Sequence, residues 1–147
     1  MLRSIVLSFV LFFPLSMKAQ TMITEFDKIV FGTYKVDEIY LKEYVLDNSG
    51  NVQFTSDMQK VYTKIGDISK ENLKEIIGIV NGKEWNDFME FDLRKDYQYI
   101  RIYQGKYYVE AMWGGEVGKP QEQMLMRILQ NAVAGLPLPE RKAEVKK

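Results

Sequence analysis

The hydrophobic and polar positions of this chain change period several times, and each change predicts a different element. Residues Ile5 to Leu15 (IVLSFVLFFPL) form an apolar run with no period at all, preceded by Arg3 and followed by a short polar stretch ending in Ala19 and Gln20. The run is about eleven residues with a proline in it, whereas a helical bilayer span needs roughly 20. The layout is that of a cleavable secretory signal peptide over residues 1–19, cut after Ala19, and this reading is preferred to a membrane anchor. Met17 is larger than the residue usual at its place before the cut.

From residue 24 to 67 the pattern is strand-like. Ile29, Val30, Phe31 and Tyr34, then Ile39 to Val45, predict strands near 26–34 and 38–46. Asp47-Asn48-Ser49-Gly50-Asn51 is a turn, with Gly50 supplying a left-handed position. Val52 and Phe54 alternate with polar residues, and a second turn near Ser56–Asp57 leads to Val61, Thr63 and Ile65 at period two. The period then changes to that of a helix. Ser69 is a good N-cap, Leu73, Ile76, Ile77 and Val80 share one face, and Asn81-Gly82 ends the helix. Gly78 inside it suggests a close packing contact. Trp85 and Phe88 are expected to fold back onto the same core.

A second hairpin is expected near 97–104 and 107–113, with Gly105-Lys106 suited to a type II′ turn. Gly114, Gly115 and Gly118 form a loose connection, and Pro120 suits the first position of a second helix. Its stripe of Met124, Leu125, Ile128, Leu129, Ala132 and Val133 runs to about Leu136, where Pro137 and Pro139 stop it. The order ββββ-α-ββ-α predicts a single α+β domain over 20–136, an antiparallel meander sheet with two helices packed on one face. Residues 137–147 are expected to be a charged, disordered tail.

Composition narrows the chemistry. The chain has no His and no Cys, which removes Ser-His-Asp and Cys-His nucleophile sets, His/Cys zinc sites and thiol redox work. An exported domain without disulfides must rely on its core, and about 128 residues after the signal suffice for one. Loss of Arg3 and Lys18 with the signal leaves 18 basic against 20 acidic residues, which argues against a general nucleic-acid binder. No cofactor and no metal are expected.

Residues 44–73 (YVLDNSGNVQFTSDMQKVYTKIGDISKENL) resemble a recurring pattern in small exported bacterial domains of unknown function, of the type found in Bacteroidota. A strand, a turn ending in Gly, two short strands and a Gly-x-Ile-Ser helix start follow in that order, and the aromatic hairpin and final helix are similar too. Ala19-Gln20 also resembles the end of Bacteroidota signal peptides. The resemblance implies the fold and no activity. Some such domains carry a cysteine pair that is absent here.

Three groups of residues are candidates for function. Asp47, Ser49 and Asn51 mimic the start of a calcium-binding loop, but Val52 and Met58 stand where that loop needs Gly and Glu, so they are read as a turn. Glu84, Asp87, Glu90, Asp92 and Asp96 could pair for glycoside hydrolysis; the preferred reading is a solvated acidic connection. In the second hairpin Ile100, Ile102, Val109 and Ala111 fall on the core side. The other side carries Tyr99, Arg101, Tyr103, Tyr108, Glu110 and Met112, residue types enriched at protein interfaces. That face is the candidate for binding another protein. The competing readings are cross-strand pairs that merely stabilise a half-exposed sheet, or a further element covering it. Trp113, expected on the core side, could instead edge a glycan-binding groove. The leading expectation is an exported non-catalytic binding domain, inhibitor- or immunity-like; the alternative is a glycan- or cell-wall-directed binding protein or carboxylate-based hydrolase. No stable membrane span is expected after signal cleavage, and the sequence does not specify the oligomeric state.

Overall fold

The alternation between residues 26 and 67 becomes four consecutive antiparallel strands. In a computed structural model that describes residues 20–115 and 119–140, the elements are β1 (Thr21–Ile23), β2 (Lys28–Lys35), β3 (Tyr40–Asp47), β4 (Asn51–Thr55), β5 (Thr63–Asp67) and α1 (Lys70–Val80). They continue with β6 (Lys83–Trp85), β7 (Phe88–Glu90), β8 (Tyr97–Gln104), β9 (Tyr107–Gly114) and α2 (Pro120–Val133). The expected signal segment 1–19, part of the glycine connection (116–118) and residues 141–147 of the expected tail lie outside the described residues. Among those described, no helix is long and apolar enough to cross a membrane.

Seven strands form one sheet in the order β5-β4-β3-β2-β8-β9-β7. Every pairing in it is antiparallel except that of β7 with β9. A separate small ribbon joins β1 to β6. The chain is thus a single α+β domain, a mostly antiparallel seven-stranded sheet plus two helices. The three strands absent from the sequence reading, β1, β6 and β7, are three residues each. Alternation over so few positions carries no periodic signal; their partners were decided by tertiary contact.

One face of the sheet holds the main core. Ile29, Phe31, Tyr44, Leu46, Val52, Phe54, Ile100, Ile102, Val109, Ala111 and Trp113 pack with Ile76 and Val80 of α1 and with Leu125, Met126, Leu129 and Val133 of α2. Phe31, Tyr44 and Phe54 form a run of ring contacts across β2, β3 and β4. Trp85 joins this core and donates its ring N–H to the Val80 carbonyl (3.1 Å); a buried indole needs such an acceptor.

The local signals for the helix ends act as expected, with two corrections. The Ser69 hydroxyl accepts from the Asn72 N–H (3.1 Å), and Pro120 is the first residue of α2. Gly78, however, sits exposed with open space around it, so no close contact explains it. The second helix ends at Val133, short of Leu136. The Leu136 N–H turns back to the Val133 carbonyl (3.0 Å), and Pro137 biases the residue before it away from helical geometry. In the second hairpin Gly105 has φ +59° while Lys106 stays out of the positive-φ region, the combination a type II′ turn requires.

Candidate functional site

The opposite face of the sheet is where sequence reasoning placed a contact surface. Side-chain parity puts Val30, Gly32 and Tyr34 of β2, Leu41, Glu43 and Val45 of β3, and Tyr97, Tyr99, Arg101 and Tyr103 of β8 on that side. Tyr108, Glu110 and Met112 of β9 join them, as does Met89 of β7, whose register partner is Met112. Val30, Leu41 and Tyr99 are buried there, and Tyr34, Val45, Tyr97, Tyr103 and Met112 pack around them. The outer face therefore has a small core of its own.

A buried charge lies at its centre. Glu43 is 0% exposed. Its carboxylate accepts from the hydroxyls of Tyr62 and Tyr99 and from the Lys60 ammonium (2.6 Å). Gly32 makes this possible, because it lies in register with Glu43 on one side and with Tyr99 on the other. The tyrosine reaches across the glycine to the glutamate. A methyl group at Gly32 would run into the Lys42 carbonyl and come within 2.9 Å of the Tyr99 hydroxyl.

Electrostatics follow from this geometry. Burial alone pushes the Glu43 carboxyl upward, but the hydrogen bonds from Lys60, Tyr62 and Tyr99 and the Lys60 charge outweigh it and hold the pKa below its ordinary value. Burial pushes both phenols well above the ordinary tyrosine value, and the bond to the Glu43 carboxylate adds to the shift. Glu43 is thus held ionised and the tyrosines neutral. A buried charge is tolerated when it is paired and hydrogen-bonded, and here both phenol hydroxyls and the Lys60 ammonium donate to it.

The cluster also explains a departure from the expected strand pattern. Val61 is not in a strand; residues 56–62 form a longer loop and β5 starts at Thr63. Within the loop Asp57 accepts from the Gln59 N–H (2.8 Å) and donates its own N–H to the Thr55 hydroxyl (3.0 Å). Lys60 adopts φ +60°, a conformation uncommon for a residue with a side chain. The pull of the buried carboxylate on Lys60 and Tyr62 outweighs the local alternation of Val61, Thr63 and Ile65.

The six residues of the candidate contact face divide accordingly. Tyr99 is 3% exposed and cannot meet a partner; its hydroxyl belongs to Glu43, and the Arg101 guanidinium lies over its ring (5.2 Å). Arg101 and Glu110 are half-buried, directly opposite in register and ion-paired. Tyr103 and Tyr108 are also opposite, with ring centroids 5.2 Å apart. Lys28 stands over the Tyr103 ring at 4.7 Å. Tyr108 is 53% exposed, Met112 half-buried, and the neighbouring Met89 exposed. The accessible part of the face is therefore Arg101, Tyr103, Tyr108, Glu110 and Met112, with Met89 as an unforeseen extension.

The other candidates are not brought together. Trp113 is 1% exposed within the main core, so it offers no open ring face for a sugar, although it contributes to the floor of a shallow pocket of about 420 Å³ with Gln98 and Arg127. Asp87 accepts from the Glu110 N–H (2.9 Å), Asp96 from the Val36 N–H (3.0 Å), and Asp92 pairs with Arg94. Each acid serves its own piece of backbone or a neighbouring side chain. Asp47 accepts from the Ser49 and Asn51 N–H groups and the Ser49 hydroxyl, all within the turn.

Glu43, Lys60, Tyr62 and Gly32 were not singled out from the sequence. A signal for the first was present: Leu41, Glu43 and Val45 share one side of a strand, and an acid between two apolar residues there needs buried partners. The identity of those partners, 17, 19 and 56 residues away, was not readable. No protein-family model matches the chain, and no curated protein matches it in sequence.

Proposed function

We propose that this chain is a non-catalytic binding protein of the cell envelope or secreted fraction that engages another protein through the outer face of the β8–β9 hairpin. An inhibitor or immunity protein is the concrete form of this reading. The observation that carries it is the preformed surface around Tyr108. The Tyr103 and Tyr108 rings are in tilted contact, Arg101 and Glu110 are ion-paired beside them, and Met112 and Met89 continue the surface across β9 and β7. Tyrosine rings lose little conformational entropy on association, and Tyr and Arg are enriched among the residues that dominate binding energy. The glycan-directed and hydrolytic alternatives lack comparable support, because the Trp113 ring is enclosed and Asp87, Asp92 and Asp96 serve local structure.

The test is cross-linked capture from the source cell's envelope and medium with three tagged proteins, each first shown by circular dichroism to be folded. They are the wild type, Tyr103→Ala/Tyr108→Ala, and Tyr107→Ala, an exposed tyrosine on the other side of the same hairpin. A protein recovered by the wild type and Tyr107→Ala but lost by the double variant supports the reading. Equal recovery by all three, or none by any, rejects it. Tyr99 is left intact because its loss would disturb the fold and not the surface alone.

A further inference from the structure

The helix-side face holds a second feature that the sheet-face reading does not use. α2 stops at Val133, whereas β2 and β3 continue to Lys35 and back from Tyr40. Beside the flank of α2, at Met126, Gln130 and Val133, this end of the sheet is not fully covered, and Leu136 and Leu138 after the helix form the remaining wall. The result is a cavity of about 480 Å³, within the size range of small-ligand sites. Its apolar lining comes from Phe31 and Tyr44 on the sheet, Met126 and Val133 on α2, and Leu136 and Leu138 after it. Leu138 keeps 43% of its surface exposed, as a side chain at an unfilled wall would.

Charge in the lining is of one sign. Lys35 and Lys42 both contribute, and among the described lining residues there is no Asp or Glu. Lys42 lies opposite Thr33 in register, and Lys35 is two residues further along β2, so the two are diagonal neighbours on one face. Lys35 has an exposed partner outside the cavity, Glu38 at 3.7 Å. Lys42 is half-buried and makes no side-chain ion pair or hydrogen bond with the described residues. Two like charges beside apolar wall, one without a counter-ion, leave a place for an anion attached to an apolar body.

We propose that this cavity binds a single-chain amphiphile with a carboxylate head. The carboxylate pairs with Lys42 and Lys35, and the alkyl chain lies along Leu136 and Leu138, over the buried floor formed by Phe31, Tyr44, Met126 and Val133. Met126 suits such a site because an unbranched thioether side chain adapts to a flexible ligand. The proposal is independent of the protein-binding reading, since the cavity lies on the other face of the sheet.

Isothermal titration calorimetry with dodecanoate, below its micelle threshold, tests it. One-to-one binding is expected, with no binding of acetate, which lacks the chain, or of dodecyltrimethylammonium, which carries the opposite charge. Lys42→Gln should weaken dodecanoate by about tenfold, the loss of one charge-assisted contact. Ala134→Trp, which fills the cavity from an exposed position at the end of α2, should abolish binding while circular dichroism stays unchanged. Equal binding of the cationic amphiphile, an unaltered affinity in Lys42→Gln, or no heat with dodecanoate would overturn the proposal. A chain ending at Glu140 supplies the remaining control. Binding that appears only after this truncation would make the C-terminal residues the occupant, and the proposal would fall.

Discussion

The two faces of the sheet are built from the same strands by different means. On the helix side, burial is mainly apolar, with Phe31, Leu46, Val52, Ile102 and Trp113 filled in by Leu125 and Leu129, and Glu122 of α2 is the buried acid among the described residues there. On the outer side no helix is present among the described residues, and the centre is closed by a carboxylate that gathers a loop over itself. The first face is non-directional and tolerates exchange among apolar residues of similar size. The second is directional: Glu43, Tyr99, Tyr62, Lys60 and the missing side chain of Gly32 must all be present together. A sheet face without a covering layer can thus be closed by a polar network, at the cost of depending on every member of it.

The comparison can be broken most severely on the apolar side. Phe31→Ala removes a fully buried ring stacked on Tyr44 and should cost about 4 kcal/mol in urea unfolding. A loss below about 1 kcal/mol would mean that the helix-covered face is not the principal core.

A smaller effect sharpens the contrast on the polar side. Glu43→Leu strands the buried Tyr99 hydroxyl and should cost about 2 kcal/mol, and Tyr99→Phe should cost about 1 kcal/mol. Because both act on one network, the double variant should be less destabilised than the sum of the singles. Simple additivity of the two unfolding energies would show that the network is not a unit.

Acidity probes the same cluster. The folded-state pKa of Glu43 is depressed, so its stabilisation is complete above the ordinary carboxylate value, about 4.3. It is lost as the pH falls from there through the lower folded value. Asp47, also held low against the cost of its own burial by bonds within its turn, contributes in the same direction. The difference between wild type and Glu43→Gln in urea midpoint, followed from pH 7 downward, isolates Glu43 and should narrow only in the acid range. At the alkaline end the tyrosines act with the opposite sign. Tyr62 and Tyr99 have raised values, so their contribution is complete below the ordinary phenol value of about 10 and declines above it. A gap between the two proteins that is constant from pH 7 to acid unfolding would contradict the assigned ionisation.

The smallest expected effect lies off both faces. Gly78 is exposed in the interior of α1 with nothing near it, and Gly78→Ala should raise stability by about 1 kcal/mol. Thermal unfolding that shifts down instead would reveal a requirement for glycine that neither face supplies.

Much of the fold was legible because it rests on near neighbours in the chain. Ser69, Gly105 and Pro120 mark element ends through their own backbone preferences, and the two faces of the second hairpin followed from its alternation, while the structure set the pairing of Arg101 with Glu110 and Tyr103 with Tyr108. The candidate face was legible only in part. Parity assigned Tyr99 to the same side as Arg101 and Tyr103, but parity cannot distinguish an exposed side from one that a distant loop has closed. The same blindness hid the extension of the loop to Tyr62 and the placement of Met89 beside Met112.

The sequence by itself determined the longer strands and both helices, which side of each of those strands is apolar, and which catalytic chemistries are excluded, because these depend on periodicity, backbone preference and residue type. Tertiary structure alone decided that Glu43 is buried, that Gly32 lets Tyr99 reach it, and that a cavity lined by Lys42 lies beside α2. Those outcomes depend on the apposition of groups far apart along the chain. A charge without a partner is costly inside a protein, so the distant residues that satisfy it are drawn in from wherever the chain passes.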